Sequence, residues 1–226
     1  MRSLAARIAS HTSAWMNLSA LRALTLENCS IEEMAEGVYS YAGGFFRPDQ
    51  IWDELIVALK EVRSIRPRYV IEIGTSAGGT LLLWSRVAHP EATIVSIDLH
   101  SGQQGIRASR LRAPLVRRMG LKGQQIHLIS GDSHLPETLA RARKFLANNA
   151  ADFLFIDGDH TEQGVRADYE MYGPLVRPGG IIGFHDIAID APGFGVIKLW
   201  RELTRSATTR SIVGSKTRYG IGLLYR

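Results

Sequence analysis

Five short apolar runs alternate with helix-length segments, and this alternation constrains the fold more than any other feature of the sequence. The runs are Tyr69–Ile73, Thr93–Ile97, Ile126–Ile129, Phe153–Ile156 and Ile181–Phe184. Strands that are apolar without interruption are buried on both faces, and strands separated by helices pair in parallel. The sequence therefore predicts an α/β fold with a doubly wound, mostly parallel sheet that helices cover on both faces.

Two further strand-like runs lie near the end of the sequence. The runs Arg210–Val213 and Gly220–Tyr225 flank a turn at residues 214–216, which predicts an antiparallel hairpin added to the parallel sheet. We therefore expect residues 67–226 to form one α/β domain, preceded by a helical appendage or lid at residues 1–66.

The N-terminal part has a helical pattern. Pro48 and Asp49 are expected to open a helix that continues to Val62. Residues 1–26 contain no acid and several Ala, Ser and Arg, which is typical both of a docking helix and of an organelle targeting segment. A lid, an oligomer contact and a targeting segment all remain open, and the N-terminal helices offer a surface for a homo-oligomer.

Cysteine content and charge exclude several classes of protein. Cys29 is the single cysteine, so an intrachain disulfide is excluded, and no apolar stretch approaches the roughly 18 residues of a membrane span. We expect a soluble, cytoplasmic protein without membrane association. The net charge is +5, and residues 99–131 contain no acid. Because no aromatic residue interleaves the basic ones there, nucleic-acid binding is not expected.

A glycine-rich turn follows the first strand. It runs from Glu72 through Gly74, Thr75, Ser76, Gly78 and Gly79 into a helix. Main-chain N–H groups at a helix N-terminus bind anions, and glycines allow a ligand to approach closely. The turn is neither a Walker loop nor a dinucleotide motif, because Ser76 occupies the middle glycine position.

The next two strands end in polar residues that suit a nucleoside. Asp98, followed by Leu99, can accept hydrogen bonds from a ribose, and Asp132 with Ser133 can contact an adenine edge. A nucleoside that lacks a pyrophosphate fits this set, and S-adenosylmethionine is such a ligand. The candidate cofactor-binding residues are Glu72, Gly74, Thr75, Ser76, Gly78, Gly79, Asp98, Leu99, Asp132, Ser133 and Asp157.

The same turn also matches another motif. Gly74 to Gly78 fits the G-x-S-x-G turn of serine hydrolases, and Asp157 and His185 follow in hydrolase order. That turn normally follows several earlier strands, whereas the segment before Tyr69 is helical here. The hydrolase also leaves Asp98 without a role.

Acids and imidazoles cluster after the fourth and fifth strands. The fourth strand leads into Asp157, Asp159 and His160, and the fifth leads into His185 and Asp186. Adjacent parallel strands end at one edge of the sheet, so we expect these groups around one pocket. They suit either general-base catalysis on a hydroxyl or a divalent metal.

Four segments together resemble the class I S-adenosylmethionine-dependent methyltransferases. They are Val70–Gly79, Ile97–Asp98, Phe155–His160 and Gly179–Asp186. The branch they resemble contains cephalosporin-hydroxylase-like proteins and antibiotic sugar O-methyltransferases. The resemblance covers about residues 46–226 and implies a seven-stranded sheet whose last strand is antiparallel.

The resemblance also implies roles for individual residues. Asp157 would be the first metal ligand, with His185 and Asp186 in place of the usual acidic or acid-amide pair, and imidazole favours Mn²⁺, Fe²⁺ or Zn²⁺ over Mg²⁺. His160 occupies the position of a catalytic lysine in catechol-type enzymes, so it is the candidate base beside Asp157.

The function expected from these features is O-methylation of a small natural-product or sugar-like acceptor. An amine acceptor, a serine hydrolase and a nucleoside-binding module without catalysis are the alternatives. Residues 1–47 and the Asp190–Gly195 loop are expected to shape the acceptor site, and the sequence does not identify the acceptor.

Overall fold

The computed structural model describes residues 18–99, 109–214 and 218–226. Its strands are β1 Tyr69–Ile73, β2 Thr93–Asp98, β3 Gln125–Ser130, β4 Ala151–Ile156, β5 Val176–His185, β6 Thr208–Ile212 and β7 Ile221–Tyr225. Six of them coincide with the predicted runs to within two residues at each end, whereas β5 begins five residues before the predicted Ile181. Of the predicted turn at residues 214–216, positions 215 and 216 lie outside the described residues.

The strands form a single seven-stranded sheet in the order β3-β2-β1-β4-β5-β7-β6. Strands β1 to β5 pair in parallel, and β7 is antiparallel to both β5 and β6. Ile73 at the end of β1 pairs with Ile97 of β2 and with Ile156 of β4, so three strands end at the same level. The predicted fold class is confirmed, including the antiparallel last strand.

Helices connect the strands and precede them. They are α1 Leu18–Ala23, α2 Ile31–Gly44, α3 Trp52–Ile65, α4 Gly79–Val87, α5 Ser109–Arg118, α6 Pro136–Phe145, α7 Glu162–Tyr172 and α8 Val196–Ser206. In the part of the chain that the structure describes, none of them combines the length and apolar character needed to cross a membrane. The cytoplasmic location stays a prediction.

Two hydrophobic clusters cover the two faces of the sheet. Alternate strand residues enter opposite clusters: Val70 packs with α2 to α5, whereas Ile71 packs with α6 to α8. Burial on both faces explains why the strands are apolar without interruption. Trp84 of α4 lies 4.8 Å from the ring of Phe153 and 5.1 Å from that of Phe155.

Helices from residues 18–65 share the first of these clusters with the strands. The division at residue 66 into an appendage and a catalytic domain stays a prediction. The segment before α3 differs from expectation, because the helix begins at Trp52 rather than at Pro48. The side chains of Asp49 and Gln50 form hydrogen bonds with Ser76 and Asp157, which follow β1 and β4, and they do not cap the helix. Residues 47–51 line the cavity described next.

Candidate functional site

A cavity of about 810 Å³ lies at the carboxyl ends of the parallel strands. The predicted site residues that line it are Gly74, Thr75, Ser76, Gly79, Asp98, Leu99, Asp132, Ser133, Asp157, His160, His185 and Asp186. Glu72 and Gly78 are not among its lining residues. The fold therefore brings the loops after β1 to β5 around one space, which also receives residues from the segment before α3.

The glycine turn after β1 depends on close main-chain approach. Gly74 has a φ of 97°, and a Cβ atom there would lie 2.0 Å from the main-chain oxygen of Asp157. No side chain fits between these neighbouring strand ends. A Cβ atom at Gly79 would lie 1.8 Å from the main-chain oxygen of Phe46. Gly79 thus allows the segment before α3 to pack on the start of α4. This packing role does not depend on any contact between Gly79 and a bound ligand.

Glu72 lies behind the glycine turn. Its carboxyl group is fully buried and accepts a hydrogen bond of 2.6 Å from the hydroxyl of Ser96, which also lies 2.6 Å from that of Thr75. Burial raises the pKa of Glu72 to about 8, so the carboxyl group is mostly protonated at neutral pH. Glu72 therefore supports Thr75 from inside the core.

The Asp98 carboxylate lies at the end of β2, near the main-chain N–H groups of Leu99 and Ser76. Its Oδ1 accepts a hydrogen bond of 2.8 Å from the main-chain N–H of Leu99. Its Oδ2 is buried and has no hydrogen-bond partner among the described residues. Burial raises the pKa of Asp98 to about 6, and the two N–H groups lower it in part. A buried acceptor without a protein partner fits a hydroxyl donor from a ligand, such as a ribose.

The turn after β3 is held by helix α7. The hydroxyl of Tyr172 donates to the main-chain oxygen of Ser133 at 2.9 Å, and Nε2 of His134 lies 3.4 Å from Oδ1 of Asp168. Asp168 is fully buried, and burial raises its pKa to about 6. Sequence reasoning missed His134 and Asp168, because nothing in the pattern of α7 marks one acid as buried.

Three side chains converge after β4 and β5. Ligand atoms of Asp157, His160 and Asp186 lie within 4.8 Å of one another. The Nδ1 atom of His160 is 2.8 Å from Oδ2 of Asp186, and this contact raises the pKa of His160. Asp186 has a φ of 63°, which is unusual for a residue with a side chain and is typical of functional sites.

His185 faces two carboxylates through one ring nitrogen. Its Nδ1 atom lies 3.0 Å from Oδ1 of Asp157 and 3.3 Å from Oδ1 of Asp186. Burial alone would lower the pKa of His185, but the two carboxylates raise it to about 9. The other ring nitrogen of His185, Nε2, is buried and has no hydrogen-bond partner among the described residues. The ligand atoms within 4.8 Å of one another belong to Asp157, His160 and Asp186, and the metal set expected from the sequence, with His185, stays a prediction.

Gln50 is a further residue of the site that sequence reasoning missed. It is 5% exposed, and its Nε2 donates to Oδ2 of Asp157 at 2.5 Å. Its Oε1 accepts a hydrogen bond of 2.5 Å from the hydroxyl of Thr80. Gln50 and His185 thus contact different carboxylate oxygens of Asp157.

The geometry bears on the hydrolase alternative. The hydroxyl of Ser76 donates to Oδ2 of Asp49 at 3.2 Å, whereas His185 pairs with Asp157. A serine nucleophile needs a histidine base within hydrogen-bond reach. The hydrogen bonds of the described residues include no such contact.

Two aromatic rings stand beside the imidazoles of the cavity. Phe194, from the loop expected to shape the acceptor site, has its ring centre 5.4 Å from that of His160. Tyr219 stacks nearly parallel to His185 at 6.2 Å. Both rings line the cavity, so an acceptor bound near the acid cluster would contact apolar faces as well as polar groups.

Comparison with known proteins identifies relatives of this chain. Residues 71–187 match the family model described as a methyltransferase domain. The uncharacterized protein y4gI of Sinorhizobium fredii (strain NBRC 101917 / NGR234) is 27% identical over 165 residues, which are 73% of this chain and 18% of that protein. The chain spans about half or less of the length of the curated relatives that it matches.

Solved structures resemble the fold. The O-methyltransferase from Bacillus cereus in complex with S-adenosylhomocysteine aligns with a TM-score of 0.59 and 21% identity over 88% of this chain and 91% of that one. MycE methyltransferase from the mycinamycin pathway, in complex with Mg and S-adenosylhomocysteine, aligns with a TM-score of 0.58 and 20% identity over 88% and 55%. At these identities the likeness shows the fold.

Proposed function

We propose, from the premise that the chain belongs to the methyltransferase domain family, that it is an O-methyltransferase acting on a hydroxyl of a small acceptor. The enzyme class, an S-adenosylmethionine-dependent methyltransferase, follows from the family, and this confirms the resemblance seen in the sequence. The hydroxyl acceptor, its natural-product or sugar-like character and the assistance of a cation are the finer parts of the proposal.

One observation carries it. A single cavity joins the residues that suit the cofactor, after β1 to β3, with a cluster of Asp157, His160 and Asp186 after β4 and β5. Methyl transfer to a hydroxyl requires both a bound sulfonium and a group that removes the hydroxyl proton. Asp98, with its free buried oxygen, would hold the ribose, and main-chain N–H groups of the glycine turn would hold the carboxylate.

His160 is the proposed base. Asp186 accepts the Nδ1 proton of His160 at 2.8 Å, which fixes the ring and leaves Nε2 to take the proton from the acceptor hydroxyl. When bound, S-adenosylmethionine would supply the methyl group from its sulfonium sulfur, and S-adenosylhomocysteine would be the leaving group. Because a base must be neutral, activity should fall with pH below the raised pKa of His160.

A divalent cation is the second arrangement that the geometry supports. The mixed set of Asp157, His160 and Asp186 provides three ligand atoms within 4.8 Å, and its imidazole suits Mn²⁺, Fe²⁺ or Zn²⁺. When bound, a cation would lower the pKa of the acceptor hydroxyl and orient it. In this arrangement His160 would serve as a ligand instead of the base.

The acceptor site is proposed to lie between the N-terminal part and the loop at residues 190–195. Arg47 and Asp49 from the first and Phe194 from the second line the cavity. Residues 1–66 would then act as a lid over the α/β domain, in keeping with the two-part division expected from the sequence.

The function is tested by methyl transfer to a panel of acceptors. Catechols, sugars with vicinal hydroxyls and matching amines are incubated with S-adenosylmethionine, and S-adenosylhomocysteine and methylated products are measured by mass spectrometry. We expect methylation of a hydroxyl acceptor, and loss of turnover in His160→Ala. Methylation of amines alone would overturn the proposal.

Chelation separates the two arrangements. EDTA treatment should leave turnover intact if His160 is the base without a cation. It should abolish turnover, with recovery on addition of Mn²⁺, if the cluster holds a cation. Affinity for S-adenosylhomocysteine should stay unchanged in either case, which distinguishes a lost cation from a damaged cofactor site.

A further inference from the structure

The segment at residues 46–51, here called the strap, is held against the cofactor side of the cavity at several points. The hydroxyl of Tyr39 donates to the main-chain oxygen of Gln50 at 2.8 Å, and Asp49 accepts from Ser76. The main-chain oxygen of Phe46 occupies the space where a Cβ of Gly79 would lie. The strap is therefore fixed on both the helical and the sheet side.

The Gln50 side chain crosses from the strap to two other elements. Its amide group lies between Thr80, the second residue of α4, and Asp157, which follows β4. These contacts are both 2.5 Å long, and Gln50 is 5% exposed. Gln50 thus connects three parts of the chain in a buried position, where a hydrogen bond is worth more than at the surface.

Hydrogen-bond chemistry determines the orientation of this amide. The Asp157 carboxylate can only accept, so the donor Nε2 must face it. The Oε1 atom then faces Thr80, whose hydroxyl must donate. The Asp157 carboxylate therefore selects the amide orientation, and the Thr80 hydroxyl, which can either donate or accept, secures it by donating to Oε1, while His185 holds Oδ1. Glutamate could not replace this donor, and a residue without an amide could not make both bonds.

We propose that Gln50 is a positioning residue that, anchored by Thr80, holds the Asp157 carboxylate in its working geometry. The proposal rests on the proposed function only in taking Asp157 as part of the methyl-transfer site. Gln50 lines the cavity, but in this proposal it does not act on a reacting atom itself. It acts through Asp157 and makes the strap a structural part of the site.

A purely structural role predicts a different outcome. If Gln50 only tethers the strap, its loss should reduce stability without a selective effect on Asp157. Gln124 offers a matched control, because its amide donates to the main-chain oxygens of Ser85 and His89 away from the cavity. Gln50→Met and Gln124→Met each remove one hydrogen-bonded amide, buried in the first case and half-buried in the second, and keep the length of the side chain.

The first measurement does not need turnover. In ¹⁵N-labelled protein, the side-chain amide resonances of Gln50 are assigned by their loss in Gln50→Met. We expect both Thr80→Val and Asp157→Asn to shift these resonances, and Gln124→Met to leave them in place. Unshifted Gln50 resonances in folded Asp157→Asn protein would overturn the proposal.

The second measurement uses the acceptor found in the panel. Gln50→Met should lower kcat by about 10- to 100-fold, as for other residues that orient a functional group, with KM for S-adenosylmethionine changed less than about threefold. Gln124→Met should leave kcat within about twofold. Thr80→Val should lower kcat in the wild type but add nothing to Gln50→Met, because both act through one amide.

The outcomes separate this proposal from the proposed function. Equal kcat in Gln50→Met and Gln124→Met, or additive losses for Thr80→Val and Gln50→Met, would overturn the positioning role. If the amide resonances respond to Asp157→Asn but no hydroxyl in the panel is methylated, Gln50 still positions Asp157, and it is the acceptor assignment that fails.

Discussion

Removal of the Asp98 carboxylate tests how the cofactor is held. Oδ2 of Asp98 is buried without a protein partner, so a ribose hydroxyl would supply the donor that this oxygen lacks. A hydrogen bond to a charged acceptor contributes about 1.5 to 3 kcal/mol. Asp98→Ala should therefore weaken S-adenosylhomocysteine binding by about 10- to 150-fold, measured by isothermal titration calorimetry at pH 7.

The pKa of Asp98 adds a pH dependence to this prediction. Burial raises that pKa to about 6, so the carboxylate becomes protonated as the pH falls below 6 and no longer offers a charged hydrogen-bond acceptor. Wild-type affinity should fall roughly tenfold between pH 7 and pH 5, because roughly nine-tenths of Asp98 is ionised at the first pH and one-tenth at the second. The Asp98→Ala variant should show little of this dependence.

Stability controls accompany the binding measurement. Since burial makes the Asp98 charge unfavourable in the free protein, Asp98→Ala should be at least as stable as the wild type at pH 7. Asp53→Ala removes an exposed acid on α3 and should leave affinity within about twofold. Unchanged affinity in folded Asp98→Ala would refute the role of Asp98, as would equal pH dependence in variant and wild type.

Three further changes test the glycine turn and its support. Gly74→Ala should lower the free energy of unfolding by more than about 3 kcal/mol, because its Cβ would overlap the Asp157 main chain. Gly193→Ala, also at positive φ but with open space around it, should lower that free energy by about 1 kcal/mol. Urea titration measures both changes. Since the folded-state pKa of Glu72 is raised to about 8, its contribution to stability should be lost as pH rises from about 4.5 to 8. Glu72→Gln should therefore make the fall in stability over this range less steep than in the wild type, and equal slopes would contradict the burial argument. Ser76→Ala should reduce methyl transfer only modestly, and labelling of Ser76 by a fluorophosphonate probe would revive the hydrolase alternative.

The positions of the strands and of the residues that follow them could be predicted from the sequence. A strand buried on both faces is apolar throughout, so runs such as Tyr69–Ile73 are visible without knowledge of their neighbours. In a parallel sheet all such strands end on one side, and this brings Gly74, Asp98 and Asp157 to one cavity once the fold class is known. These features are local or follow from the handedness of the connections.

The partners within the site were decided by the tertiary structure alone. Gln50 and Asp157 are 107 positions apart, and Pro48 and Asp49 suggested a helix start rather than a wall of the cavity. No periodicity encodes which imidazole faces which carboxylate. His160 bonds to Asp186, whereas His185 turns towards Asp157, because the loops after β4 and β5 set those directions. A hydrogen bond depends on distances of tenths of an ångström, and only the packed chain determines them.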